Sequence, residues 1–144
     1  MRASRALVGV WAAYAVAWAV PVVEGGVTLP EGLPGWQAFR AAASPLWPYE
    51  GVRYETWYWA ILAVASAASN LLMIATPWLA RFGHAQPPRR VGAAAAMTAF
   101  LVNGHWFALR GGSEDLRIGY YLWWFSFSAV AWLLWRASSH EREK

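Results

Sequence analysis

Thr56 to Ala80 reads TWYWAILAVASAASNLLMIATPWLA and contains no charged residue. Apolar side chains fill it without the strict alternation of a half-buried strand, and at about 1.5 Å per residue a helix of this length covers the ~30 Å hydrocarbon core of a bilayer. Three further charge-free windows flank it: Ala6 to Val23, Val91 to Leu109 and Ile118 to Trp135. Each is about the ~17–25 residues that one crossing needs. The windows predict an all-α fold, an integral membrane four-helix bundle in one domain over 1–144. Its spans are 6–23, 56–80, 91–109 and 118–135, and its long outer loop is 24–55.

The composition points the same way. Of 144 residues, 58% are hydrophobic and 14% are charged, against about 25% charged in soluble domains. With no cysteine in the sequence, disulfides, iron–sulfur clusters and thiolate zinc sites are excluded. The opening MRASR and the triplet Ala17-Trp18-Ala19 also suit a cleaved leader; the reading adopted is a retained first helix.

Arginine and lysine orient the bundle. With the N-terminus inside, the inner side holds Arg2, Arg5, Arg81, Arg89, Arg90, Arg136, Arg142 and Lys144, and the outer side holds Arg40, Arg53, Arg110 and Arg117. That distribution follows the positive-inside rule and predicts a multi-pass protein of the bacterial inner membrane, N-in and C-in. Basic inner segments then read as topology signals and lipid headgroup contacts, with no nucleic-acid partner. Residues 81–90 form a short basic turn that Pro87-Pro88 closes, and residues 110–117 a glycine-led turn. In the outer loop, residues 35–44 lie between Pro34 and Pro45, with Trp36, Phe39 and Ala43 on one face. A short interfacial helix is expected there.

The sequence has 12 tryptophans. Trp57, Trp59, Trp78, Trp106 and Trp135, with Tyr120 and Tyr121, fall near span ends, as an aromatic belt requires. Trp11, Tyr14 and Trp18 share a stripe of the first span. In the last span Tyr121, Trp124, Ser128, Ala131 and Trp135 recur at helical steps. The small Ser128 and Ala131 leave a shallow notch in that face, which suits a helix–helix contact or a flat hydrophobic ligand such as a quinone, tetrapyrrole or lipid chain. Tyr121, Trp124, Ser128 and Ala131, with His105 above them, are the candidate ligand residues.

Polar groups in hydrocarbon need partners. Asn70 and Asn103 fall near mid-span, and with a serine of the last span, Ser126, they predict one hydrogen-bonded layer. Ser66, Ser69 and Thr98 are further polar residues of these spans. His105 lies closer to the outer boundary, while His84 and His140 fall on the inner side, so two histidines cannot share one haem in a monomer. No carboxylate lies within a span, which counts against an ion-coupled pump. Sequence motifs for a nucleophile elbow, a zinc protease or a phosphate loop are missing.

Three stretches, PGWQAF (34–39), SNLLMIATPWL (69–79) and GYYLWWFSF (119–127), resemble motifs of a set of small uncharacterised bacterial four-helix inner-membrane proteins. The resemblance singles out Gly35, Trp36, Asn70, Gly119, Tyr120, Tyr121, Leu122, Trp123 and Ser126; it implies a fold and a location and no activity. The segment YYLWWFSFSAVAWLLW (120–135) is also similar to the last helix of tryptophan-rich sensory proteins that bind porphyrin, which are five-helix bundles. The expected function is that of a non-catalytic accessory or assembly subunit of a larger inner-membrane complex, with a membrane-protein partner or a second copy. Binding of a flat hydrophobic ligand and a small transporter or channel are the alternatives.

Overall fold

The computed structural model describes residues 2–24, 32–82, 86–109 and 115–139; His84 and His140 lie outside them. Helix α1 spans Arg2–Ala19, strand β1 Pro21–Val23, strand β2 Leu33–Pro34, and helix α2 Gly35–Ala42. Helices α3 (Trp57–Phe82), α4 (Gln86–Asn103), α5 (His105–Leu109) and α6 (Ile118–Ser139) follow. The protein is mostly helical, and the long elements pack in a fixed order. Helix α6 lies between α1 and α4, and α3 packs on α4. One described segment, Trp57–Leu79, is long and apolar enough to cross a membrane by length and composition, while Arg5–Ala19 is a shorter apolar helix.

Small residues decide the tightest contact. Ala93, Ala96 and Ala99 of α4 are buried against Phe127, Val130, Ala131 and Leu134 of α6, with Met73 and Tyr14 completing the core. Alanines three apart give a smooth face into which the larger α6 side chains fit. Gly92 continues that face, meeting Leu79 and Leu134.

Proline and glycine move the element ends away from the charge-free windows. Pro21 cannot continue α1, so the chain turns extended and Val22 and Val23 leave the helix. There β1 pairs antiparallel with β2, Val23 bridges Leu116, and the Arg117 amide donates to the Val22 carbonyl at 3.0 Å. This ribbon, which the apolar run 6–23 did not announce, seats the start of α6, with a Glu24–Arg117 ion pair beside it. Pro87 and Pro88 fall in the first turn of α4, where proline lacks no needed amide hydrogen. The window 91–109 is divided at Gly104 into α4 and α5.

Pro77 lies inside α3 and leaves the Met73 carbonyl without its usual amide donor. The Thr76 hydroxyl donates to that carbonyl at 2.7 Å and accepts from Trp11 Nε1 at 3.1 Å. One hydroxyl therefore repairs the helix and ties α1 to α3. Thr76→Val, isosteric but without the hydroxyl, is expected to destabilise the protein by about 1 kcal/mol in a detergent-unfolding titration.

Candidate functional site: a hydrogen-bonded interior beneath a cavity roofed by α2

Tyr14 of α1 holds α3 through its side chain. The Tyr14 hydroxyl donates to Asn70 Oδ1 at 2.7 Å, and Trp123 Nε1 of α6 donates to the same oxygen at 2.9 Å. The Asn70 amide donates to the Ala67 and Ser66 carbonyls of its own helix at 2.9 and 3.3 Å. One buried asparagine thus joins three helices.

Asn103 makes the second junction. It is fully buried, its Oδ1 accepts from Ser66 Oγ, and its amide donates to Ser69 Oγ at 3.0 Å. Ser66 Oγ accepts in turn from Trp106 Nε1 at 3.2 Å, and Ser69 donates to the Ser66 carbonyl at 2.6 Å. Asn70 and Asn103 are therefore linked through Ser66 and its neighbour on α3. Ser126 directs its hydroxyl to the Leu122 carbonyl of its own helix, at 2.6 Å. The serines that join the asparagines come from α3, since Asn103 faces that helix while Ser126 satisfies itself within α6.

The break at Gly104 collects side-chain donors. The Tyr120 hydroxyl donates to the Asn103 carbonyl at 2.8 Å, and Trp124 Nε1 to the Phe100 carbonyl at 2.7 Å. His105 places Nδ1 at 2.5 Å from the Val102 carbonyl, so Nδ1 carries the proton. Its ring lies against Trp106 and Trp59, with centroids 4.5 and 6.0 Å away. A Cβ on Gly104 would stand 3.0 Å from the Trp124 indole. Gly104 thus makes room for an aromatic ring, and the carbonyls of Phe100, Val102 and Asn103 just before it take side-chain donors.

The five candidate ligand residues do not line one pocket. Trp124 stacks on Phe100, with centroids 4.8 Å apart and planes at 10°. Ala131 is in the core, and Ser128 donates to the Phe125 carbonyl at 2.9 Å. Tyr121 faces outward into a shallow groove of about 340 Å³ beside Val10, Ala13 and Phe125. The periodicity places Tyr121, Trp124, Ser128 and Ala131 on one helix face, but neighbouring helices occupy different parts of it. His105 is buried against the Trp59 and Trp106 rings.

A larger concavity lies elsewhere. A cavity of about 410 Å³ opens under α2, bounded by Trp18 of α1, Ala38, Phe39 and Ala42 of α2, and Trp123 of α6. Ser66, Ala67 and Asn70 of α3 form its inner end, and Arg53, Tyr54 and Asp115 its mouth. Helix α2 is held as its roof by the Tyr54 hydroxyl, which donates to Ala41 O at 2.9 Å, and by Phe39 against Trp18, 5.3 Å between centroids. The Arg40 guanidinium stacks on the Trp47 ring at 3.4 Å and fixes the following turn. Phe39 points inward and Trp36 is exposed, so the apolar stripe of α2 divides between the cavity and the surface. The lining draws on residues from position 17 to position 123, brought together by five helices, α1, α2, α3, α5 and α6. No stretch of the sequence carries that signal by itself.

No family model, curated protein or solved structure matches the chain.

Proposed function

We propose that this is a four-span protein of the bacterial inner membrane, N-in and C-in, that binds a hydrophobic small molecule in the cavity beneath α2. The membrane part of the reading is supported by an inverted polarity. Val8, Ile61, Leu71, Ile74, Trp78, Leu101 and Trp132 are each more than half exposed, whereas Asn70, Asn103, Thr76 and Ser138 are buried. Water would favour the opposite arrangement, and lipid favours this one. Only 33% of the most apolar window of α3 is buried.

The cavity carries the functional part. About 410 Å³ of concave, aromatic-walled space is in the range of small-molecule sites, which are apolar with a few polar groups. Filling the space tests it. Ala42→Trp places an indole into the cavity from the roof helix and leaves the core cluster untouched. Mass spectrometry of lipid extracts is expected to find a compound enriched on the parent protein and lost from Ala42→Trp at equal thermal stability. Identical extracts from the two proteins would end the binding reading.

The accessory-subunit reading draws on a different feature, the open groove between α1 and α6. There Ile118 is 62% and Phe125 52% exposed. A second copy or another membrane protein's helix would cover them, and native mass spectrometry in mild detergent separates a complex from a monomer.

A further inference from the structure

We infer that the occupant of the cavity is a single-chain amphiphile, inserted chain-first, with its apolar end against Ser66, Ala67 and Asn70 and an anionic head at the mouth beside Arg53. This rests on the binding reading above and adds to it a ligand class and an orientation.

The inner end of the cavity is polar in composition and closed in chemistry. Asn70 Oδ1 already accepts two hydrogen bonds, from Tyr14 and Trp123, and the Asn70 amide is spent on the Ala67 and Ser66 carbonyls. The Ser66 hydroxyl donates to Asn103 and accepts from Trp106. The side-chain donors of both Ser66 and Asn70 are committed within the protein. A quinone carbonyl or another hydrogen-bonding ring placed at this end would lose its water and leave its acceptor without a donor. A methyl-terminated chain asks for none.

Shape and charge agree with that polarity. The cavity lining includes Arg53, exposed ahead of α3, and Asn70, buried within that helix. Methyl groups of Ala17, Ala38 and Ala42 and the rings of Trp18 and Phe39 line the sides, as an acyl chain requires. Charge is confined to the mouth, where Arg53 and Asp115 are both exposed. The Arg53 guanidinium suits a carboxylate or a phosphate, the chemistry shared by a free fatty acid and a lysophospholipid.

Photolabelling of the protein in nanodiscs tests class and orientation together. Palmitic acid and a palmitoyl lysophospholipid each carry a diazirine, either at the methyl end or next to the head, and an azidoquinone serves as the ring-shaped probe. Labelling that persists in Ala42→Trp is subtracted as lipid contact. The methyl-end probes are expected to mark residues 66–70, and the head-end probes residues 51–54 or 115–116. Whichever head labels more strongly identifies the source. Arg53→Gln, at an exposed position, is expected to reduce specific labelling roughly twofold to fivefold. Reversed positions, or specific labelling by the azidoquinone and not by the acyl probes, would overturn the inference and leave cavity binding standing. Specific labelling by no probe would overturn both.

Discussion

Asn70→Leu is expected to lower the unfolding free energy by about 2 kcal/mol, measured by detergent titration with tryptophan fluorescence. Leucine fills a similar volume but accepts no hydrogen bond, so the Tyr14 hydroxyl and Trp123 Nε1 lose a shared partner. In water-excluded surroundings a stranded donor costs about 1–3 kcal/mol. Interhelical hydrogen bonds in a bilayer average only ~0.6 kcal/mol, because the unfolded helices also find partners. Two stranded donors at a site that is 5% exposed place the expectation between those limits. A second substitution separates the stranded-donor cost from lost packing. Tyr14→Phe alone is expected to cost less than about 1 kcal/mol, since Asn70 keeps Trp123. In the Asn70→Leu background the same change is expected to be neutral or mildly stabilising, because it removes a stranded hydroxyl. If the two losses simply add, the shared acceptor is not what holds α1, α3 and α6 together.

Much of this architecture can be read from residue patterns. The long charge-free windows become the long helices, and Asn70 and Asn103 stand out because an amide among apolar neighbours has to be partnered. The tryptophans are less legible. An indole near a span end reads equally well as a headgroup anchor or as an interior donor. Trp11, Trp106, Trp123 and Trp124 all place Nε1 on acceptors inside the protein. Which acceptor each finds depends on how the helices pack, and residue periodicity does not specify that. The cavity is less legible still. Its roof exists because α2 folds back over the end of α1, and one alanine-rich octapeptide does not dictate that path. Pro21 signals that α1 must end but does not say that the next residues pair with Leu33 and Pro34.

The same close approach of α2 to α1 makes Gly35 the position where one methyl group should do most damage. A Cβ there would collide with the Ala17 carbonyl oxygen and lie 2.8 Å from Trp18 Cα. Both obstacles are backbone, so no rotamer change relieves them, and α2 has to lift from the end of α1. Overpacking of this kind costs about 1–3 kcal/mol. Because α2 roofs the cavity, lifting it also separates Phe39 from Trp18. Gly35→Ala is therefore expected both to destabilise the protein by that amount and to lose the ligand retained by the parent. Gly119→Ala meets the Pro21 and Val20 carbonyl oxygens at 2.6 and 2.9 Å, so a similar loss of stability is expected at the start of α6. Gly9 is the control: nothing lies within 4 Å of its added Cβ. Gly9→Ala should be neutral or stabilising by up to about 1 kcal/mol through helix propensity alone. If Gly35→Ala behaves like Gly9→Ala in both melting and ligand retention, then α2 is not seated on α1 as a roof, and the cavity beneath it is not the binding site.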